Sequence, residues 1–577
     1  MDDDVRARAE EAAEVNALFN ALKHDSDAQV GAIMGPLMGE NPDFREYGDE
    51  IAGVIAPVVQ RVNGMSAAEK RERLSELAPE RVEELEADEE EDDQVLPDLP
   101  NANDYDEIRM RLAPNPNGPW HLGSARMPAV IGTYKDIYDG WMLCRFDDTD
   151  PETKRPDLDA YDEILEAIDY LGFEPDEVVK ASDRVEIYYD HARELIDLGG
   201  AYTCSCPGED FSELKNSGEA CPHRDKDVET VREEFAAMVD GDYSAGEMVL
   251  RVKTDIEHKN PALRDFVAFR MVDTPHPREE ASEYRCWPML DFQSGIDDHL
   301  LGITHIIRGI DLQDSAKRQA FVYDYFGWEY PEVVHWGHVQ VDAYDVKLST
   351  STIKERIEAG DLAGWDDPRA PTIASLRRRG IRGEAITEAM VELGTSTSNV
   401  DLSMSTLYAE NRDLVDDEAD RYFFVRDGVE KAVLGGPDAG TPPVHPDHPD
   451  RGRREIPVGG AVLVEPDDVP PNGGRVWLKG FGCVRHTRDA FEYVGDDVEV
   501  VREEGVDVVH WAPADANAPV RLRTPDGDVE GVAEPGFVDA DVDEVVQFER
   551  IGFARVDLVA EDAIDSRDES VAYFAHP

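Results

Sequence analysis

Apolar residues across positions 3–82 recur at helical spacing, as at Val15, Leu18, Phe19 and Leu22, and predict a helical N-terminal extension. The pattern stops at residues 83–103, where the mostly acidic run from Glu83 to Asp93 precedes Pro97 and Pro100, the composition of a linker. From 104 to 345 short apolar runs alternate with amphipathic stretches, which predicts an α/β domain. Within it Trp141 to Phe146 reads as a buried strand, while Asp159 to Leu171 and Arg184 to Leu198 read as helices. An insertion, about 202–288, interrupts this domain, and helical patterns dominate 346–410. From 411 to 577 the chain turns β-rich, with Pro, Gly and Asp between Gly460–Val464, Arg475–Leu478, Val498–Val501, Val506–Trp511 and Val545–Phe548. Short strands at that spacing suggest barrels or sandwiches.

Composition changes the picture in one respect. The 577 residues carry 127 acidic against 58 basic side chains, a formal charge of −69. The acids are spread through every segment, so self-repulsion would strain a compact fold in dilute buffer. At about 1 M salt the screening length falls to roughly 3 Å, and we read the charge as adaptation to a salt-rich cytoplasm. An acidic total of this origin does not exclude a nucleic-acid partner. No apolar run reaches the roughly 20 residues of a membrane span, and the start, Met1-Asp2-Asp3-Asp4, is unlike a signal peptide, so a cytoplasmic location is expected.

The densest chemical signal runs from Arg111 to Ser124: Arg-Leu-Ala-Pro-Asn-Pro-Asn-Gly-Pro-Trp-His-Leu-Gly-Ser. Its prolines and Gly118 fix a loop that feeds a helix, where free backbone N–H groups and the helix dipole favour phosphate. His121 adds a donor and Gly123 lets a nucleotide approach the backbone. Pro114, Asn115, Pro116, Asn117, Gly118, His121, Gly123 and Ser124 are therefore the expected ATP contacts, with His121 and Ser124 closest to the chemistry.

This segment resembles the first signature of class I aminoacyl-tRNA synthetases in the form used by the glutamyl/glutaminyl branch. Arg145-Phe146-Asp147-Asp148-Thr149-Asp150-Pro151 resembles a second landmark of that branch, and so does the stretch from Trp287 through Asp297-Asp298-His299 to Gly309, all in family order. The resemblance is strongest to the archaeal glutamyl-tRNA synthetases and covers roughly Arg109 to the C-terminus. It implies a Rossmann-like catalytic domain with a zinc-bearing insertion, a helical tRNA-stem region and two β-barrels that bind the anticodon. The second signature of the class, a pyrophosphate-gripping loop, matches Lys347-Leu348-Ser349-Thr350-Ser351, with Thr350 where a second lysine is usual. Lys347, Ser349 and Ser351 are the implied catalytic residues there, Lys347, Leu348 and Ser349 the implied ATP contacts, and Lys354 a further source of charge. For the amino acid, the resemblance implies Arg111, Asn115, Asp147, Leu290, Ser294 and Arg308, with Leu290 standing where the family often has tyrosine.

Cys204, Cys206, Cys221 and His223 form two close pairs, a donor set that suits tetrahedral Zn²⁺ but is shared by free thiols beside a histidine. Their place in the insertion is similar to the archaeal glutamyl enzymes, which implies a structural zinc. Arg377, Arg378 and Arg379 are the expected phosphate contacts on tRNA. The expected activity is ATP- and Mg²⁺-dependent ligation of L-glutamate to tRNA(Glu) through glutamyl-adenylate, with tRNA(Gln) a further candidate acceptor. The rival readings are a glutaminyl enzyme, a tRNA-binding paralogue without catalysis, suggested by Thr350, and a small-molecule nucleotidyltransferase. The N-terminal extension carries no chemical motif and is expected to dock a protein partner or support tRNA.

Overall fold

The structure is a computed structural model that describes all residues except 1–2, 24–27, 29, 41–43, 45–46, 80, 83–95, 342–343, 345–347, 561–563 and 565–567. Most of the acidic linker, and Lys347, lie outside the described residues. The chain divides into two compact units, Met1–Pro97 and Asp98–Pro577.

The first unit contains the helices Asp3–Lys23, Val30–Glu40, Gly48–Asn63 and Ala67–Leu77. Ala9, Ala13, Ala17 and Ala21 recur at four-residue spacing along one buried face. Such small side chains let another helix come close, and the same core holds Ile51, Ile55, Val58 and Leu74. Glu14 is buried beside it and accepts from Arg61 at 2.9 Å and Arg73 at 3.0 Å.

In the second unit three parallel strands, Arg109–Leu112, Trp141–Phe146 and Glu177–Lys180, form a sheet with the first two adjacent. The strand His305–Gly309, paired in parallel with Glu332–Trp336, lies beside Arg109–Leu112, and the Thr304 N–H donates to the Arg109 carbonyl at 2.9 Å. Crossover helices Arg126–Tyr138, Ala160–Tyr170 and Val185–Asp197 follow the strands. In such doubly wound sheets ligands bind beyond the carboxyl ends of the strands. The insertion folds as a separate antiparallel sheet of Ala201–Cys204, Val249–Val252, Phe266–Met271 and Cys286–Pro288, with helices Gly208–Ser217 and Val228–Val239.

The C-terminal part holds two seven-stranded, barrel-like sheets, one running through Arg475–Leu478 and Gly482–Thr487, the other through Val545–Phe548 and Gly552–Leu558. One expected strand is not there. Val498–Val501 falls at the start of a short helix, Glu499–Glu504. Valine favours strands, but an acidic residue opens this turn and Gly505, at φ 64°, caps its end. Those end signals fit a helix, and they prevail over β propensity.

Candidate active site

A cavity of about 630 Å³ opens at the carboxyl ends of the strands. Arg111 reaches it from the first strand, Arg145 and Asp147 from the end of the second, and Arg308 from the end of His305–Gly309. Leu290 and Ser294 approach from the helix Leu290–Leu300. The turn contributes Pro114, Asn115, Gly118, His121, Gly123 and Ser124. Four segments distant in sequence thus meet in one space.

One wall carries a linked cluster of charges. Asp298, fully buried, accepts through the same Oδ1 from Arg111 Nε at 3.2 Å and from Arg145 Nη1 at 2.8 Å. Arg145 Nε donates in turn to Asp147 at 2.8 Å. Burial pushes the Asp298 carboxyl up, but the two guanidinium groups prevail and hold it below the ordinary carboxylate range. Arg308 makes no direct bond to a carboxylate among the described residues: its hydrogen bonds run to Gln319 and Tyr330, and burial lowers its affinity for the proton. Among the described residues, Arg145 Nη2, Asp298 Oδ2 and Arg308 Nε are buried polar atoms with no hydrogen-bond partner. Within this cluster of three arginines and two aspartates one positive charge is left over, while Arg126, Lys154, Arg270, Asp150 and Asp311 line the rest of the cavity.

The loop that opens the site is held by backbone pairing on two sides. The Asp147 N–H donates to Pro114 O, and Asn115 Nδ2 to Asp147 O, each at 2.9 Å. Farther along, Leu122 N–H donates to Pro371 O at 2.8 Å and Ile373 N–H to Trp120 O at 3.1 Å, with His121 bridged to Thr372. The turn Leu122–Ala125 is a 3-10 helix that leads into the α-helix Arg126–Tyr138. Burial pushes the His121 imidazole down to about 4, so at neutral pH it is uncharged and offers one N–H donor. Ser124 Oγ lies 3.4 Å from its ring nitrogens. Gly118 sits at φ +151°, and a Cβ there would stand 2.8 Å from Thr350 Cγ2 and 3.3 Å from Trp365. A Cβ on Gly123 would press on the His121 ring and Leu348 at 3.3 Å. Both glycines permit close approach of chain segments to the turn.

Pro116 and Asn117 do not line the cavity; the Pro116 carbonyl accepts from Asp157 N–H at 2.7 Å. In the second signature, Thr350 lines the cavity, Leu348 packs at Gly123, Ser349 precedes the helix Thr350–Glu358, and Ser351 is exposed on it. Lys354 is 3.9 Å from Asp157.

Cys204, Cys206, Cys221 and His223 converge, all four ligand atoms lying within 4.8 Å of one another. Cys221 Sγ is 3.4 Å from Cys204 Sγ, Cys206 Sγ and His223 Nδ1. Tetrahedral Zn²⁺ with bonds of about 2.3 Å to sulfur spaces its sulfurs a little under 4 Å apart, so the cluster fits such an ion with small relaxation. The three arginines, by contrast, part company. Arg377 is exposed, with its guanidinium 5.2 Å from the Tyr170 ring. Arg378 is paired to Asp366 at 2.7 Å and to Asp557 at 3.0 Å. Arg379 is buried and donates to the carbonyls of Phe574 and Ala575 and the hydroxyl of Tyr408, so its charge faces inward.

Three residues central to this geometry were not among the expected site residues. Asp298 was visible only as part of the Asp297-Asp298-His299 run, and Arg145 only as the first residue of its landmark. Gln319 carried no local signal: it sits in an ordinary amphipathic helix, Gln313–Phe326.

The parallel strands and their strand-end cavity form an α/β core with an appended all-β region. Residues 107–417 match the family described as class I tRNA synthetases (E and Q), catalytic domain, and residues 419–502 and 508–557 match its two anticodon-binding domain families. A glutamate–tRNA ligase of Haloarcula marismortui is 75% identical over 583 residues, covering 100% of both chains. One from Natronomonas pharaonis is 74% identical over 577 residues, again with 100% of both covered, and one from Methanosarcina acetivorans is 46% identical over 567 residues, 97% of each. The chain belongs to the class I tRNA synthetases of the E and Q type. Among the described residues no helix is long and apolar enough to cross a membrane.

Proposed function

We propose that the chain is a glutamate–tRNA ligase acting in a cytoplasm of high salt. The observation that carries the choice of amino acid is the charge of the cavity wall. Free glutamate has net charge −1, and a wall left at +1 by Arg111, Arg145 and Arg308 against Asp147 and Asp298 complements it. Glutamine has no net charge and would leave Arg308 buried without an anion, a costly state. The names of the relatives support the same reading.

In this reading MgATP lies on Pro114–Ser124, its phosphates against the backbone N–H groups and His121, with Mg²⁺ offsetting phosphate charge. Pro116 and Asn117 act from behind, through loop shape. Lys347, Leu348, Ser349, Thr350 and Ser351 close over the pyrophosphate. Asp147 meets the ammonium of glutamate, Arg111 and Arg308 its carboxylates, and Asn115, Leu290 and Ser294 complete the pocket. The α-carboxylate attacks the α-phosphorus in line; the bond to pyrophosphate breaks and glutamyl-adenylate forms. A ribose hydroxyl at the 3′ end of tRNA(Glu) then takes the acyl group and AMP leaves. No protein nucleophile is required, and positioning with electrostatic stabilisation supplies the acceleration.

Cys204, Cys206, Cys221 and His223 would hold a structural Zn²⁺, closing its shell with four protein ligands so that it keeps no catalytic water. Arg377 is the best placed of the three arginines to touch a tRNA phosphate, with Arg378 and Arg379 fixing its helix. The N-terminal helices are read as a docking or tRNA-supporting appendage. The test is charging of purified tRNA transcripts with labelled glutamate, beside glutamate-dependent exchange of pyrophosphate into ATP. Absence of both, with and without tRNA, would leave a binding paralogue.

A further inference from the structure

Arg308 is the only one of the three wall arginines whose guanidinium hydrogen bonds, among the described residues, go to neutral groups alone. Gln319 supplies most of them. It is fully buried, and its Oε1 accepts from Arg308 Nη1 at 3.2 Å, Arg308 Nη2 at 3.3 Å and the Tyr330 hydroxyl at 2.5 Å. Its Nε2 donates to Ser294 Oγ at 2.6 Å. The orientation of this amide is forced, because a guanidinium has no acceptor and only the oxygen can face it. Tyr330 is held in the same way: its oxygen accepts from Arg308 at 2.8 Å while its proton goes to Gln319.

A carboxylate could make the same contacts. Glutamate at 319 would still accept from Arg308 and Tyr330, and Ser294 could turn its hydroxyl to donate. The wall would then contain three arginines against three acids and carry no net charge. We propose that Gln319 is a positioning and specificity residue: it orients Arg308 with a neutral acceptor, so that the arginine stays fixed and yet keeps its full charge for the substrate carboxylate. Arg111 and Arg145, whose bonds to Asp298 already neutralise part of their charge, lack this property. The choice between glutamate and glutamine then rests on an uncharged side chain behind the arginine, one helix away from it.

This assignment rests on the glutamate reading above. The test is binding of glutamate and of glutamine by calorimetry, with ATP kinetics, for the full-length protein and two variants in about 2 M KCl. Gln319→Glu preserves shape and hydrogen bonds and adds only charge; it should weaken glutamate binding at least about 100-fold and leave the KM for ATP unchanged. Its preference for glutamate over glutamine should collapse by the same factor. Gln319→Met removes the hydrogen bonds but leaves Arg308 charged, so it should weaken glutamate less than Gln319→Glu and retain the preference. A Gln319→Glu variant that binds glutamate within about threefold of the parent would overturn the assignment, as would Gln319→Met behaving as badly as Gln319→Glu. A parent protein that binds no glutamate would overturn both this assignment and the functional reading beneath it; a parent that binds it beside an unaffected Gln319→Glu would overturn this assignment alone.

Discussion

Single residues set the charge of this site, and their roles follow from who shares whom. Asp298 is the common partner of Arg111 and Arg145, and all three are buried. Removing one partner of a buried ionic cluster leaves uncompensated charge, which costs more than the cluster itself contributes. Asp298→Asn should therefore destabilise the catalytic core by about 3–5 kcal/mol, read as a fall in the denaturant midpoint, and an unshifted midpoint would argue against that network. The sequence exposed part of this scale. His121, Arg111 and Arg308 stand in motifs whose chemistry can be named from the residues and their order. Gln319 could not be found that way, since its importance comes from contacts with a strand residue, Arg308, and with Ser294 on another helix, and nothing in its own neighbourhood marks it. Arg379 errs in the opposite direction. Three adjacent arginines suggest an anion, yet on a helix neighbours point about 100° apart, and one of the three faces the core, where it ties down backbone carbonyls.

At the scale of elements, the α/β core was legible where a strand is buried on both faces, as in Trp141–Phe146, or where a helix is long enough to show one buried face, as in Ala160–Tyr170 and Val185–Asp197. Trp141–Phe146 matches its expected bounds, and Ala160–Tyr170 and Val185–Asp197 fall within theirs. Val498–Val501 was misread because four residues are too few to fix a period. The insertion is a small antiparallel sheet whose first strand, Ala201–Cys204, ends on a cysteine of the Cys/His cluster. Cys204 is thereby fixed by the sheet, and the segment through Cys221 and His223 must be brought back to it. If Zn²⁺ closes that loop, the purified protein should contain stoichiometric zinc, and Cys206→Ser should lose it and melt the insertion before the core. Full zinc retention in Cys206→Ser, or protease resistance of the insertion after chelation, would contradict a structural role for the ion.

For the whole molecule the dominant fact is a charge of −69 on 577 residues. A tRNA is a polyanion, and in dilute buffer the two would repel. In strong salt that repulsion is screened, while counterion release contributes little to affinity. Recognition must then lean on base and shape contacts, such as the two barrel-like sheets could offer, more than on a basic surface. Charging activity should accordingly persist or rise between about 1 and 3 M KCl, and a steep decline over that interval would count against the salt-adapted reading. Selection of glutamate is proposed to rest on the positive charge left over by Arg111, Arg145 and Arg308 against Asp147 and Asp298. Its most direct test is the ratio of kcat/KM for glutamate to that for glutamine in charging of a tRNA(Glu) transcript. The ratio should be at least about 1000 in favour of glutamate, the discrimination expected when an isostere leaves a buried charge unpaired. Equal use of the two amino acids, or preference for glutamine, would contradict it.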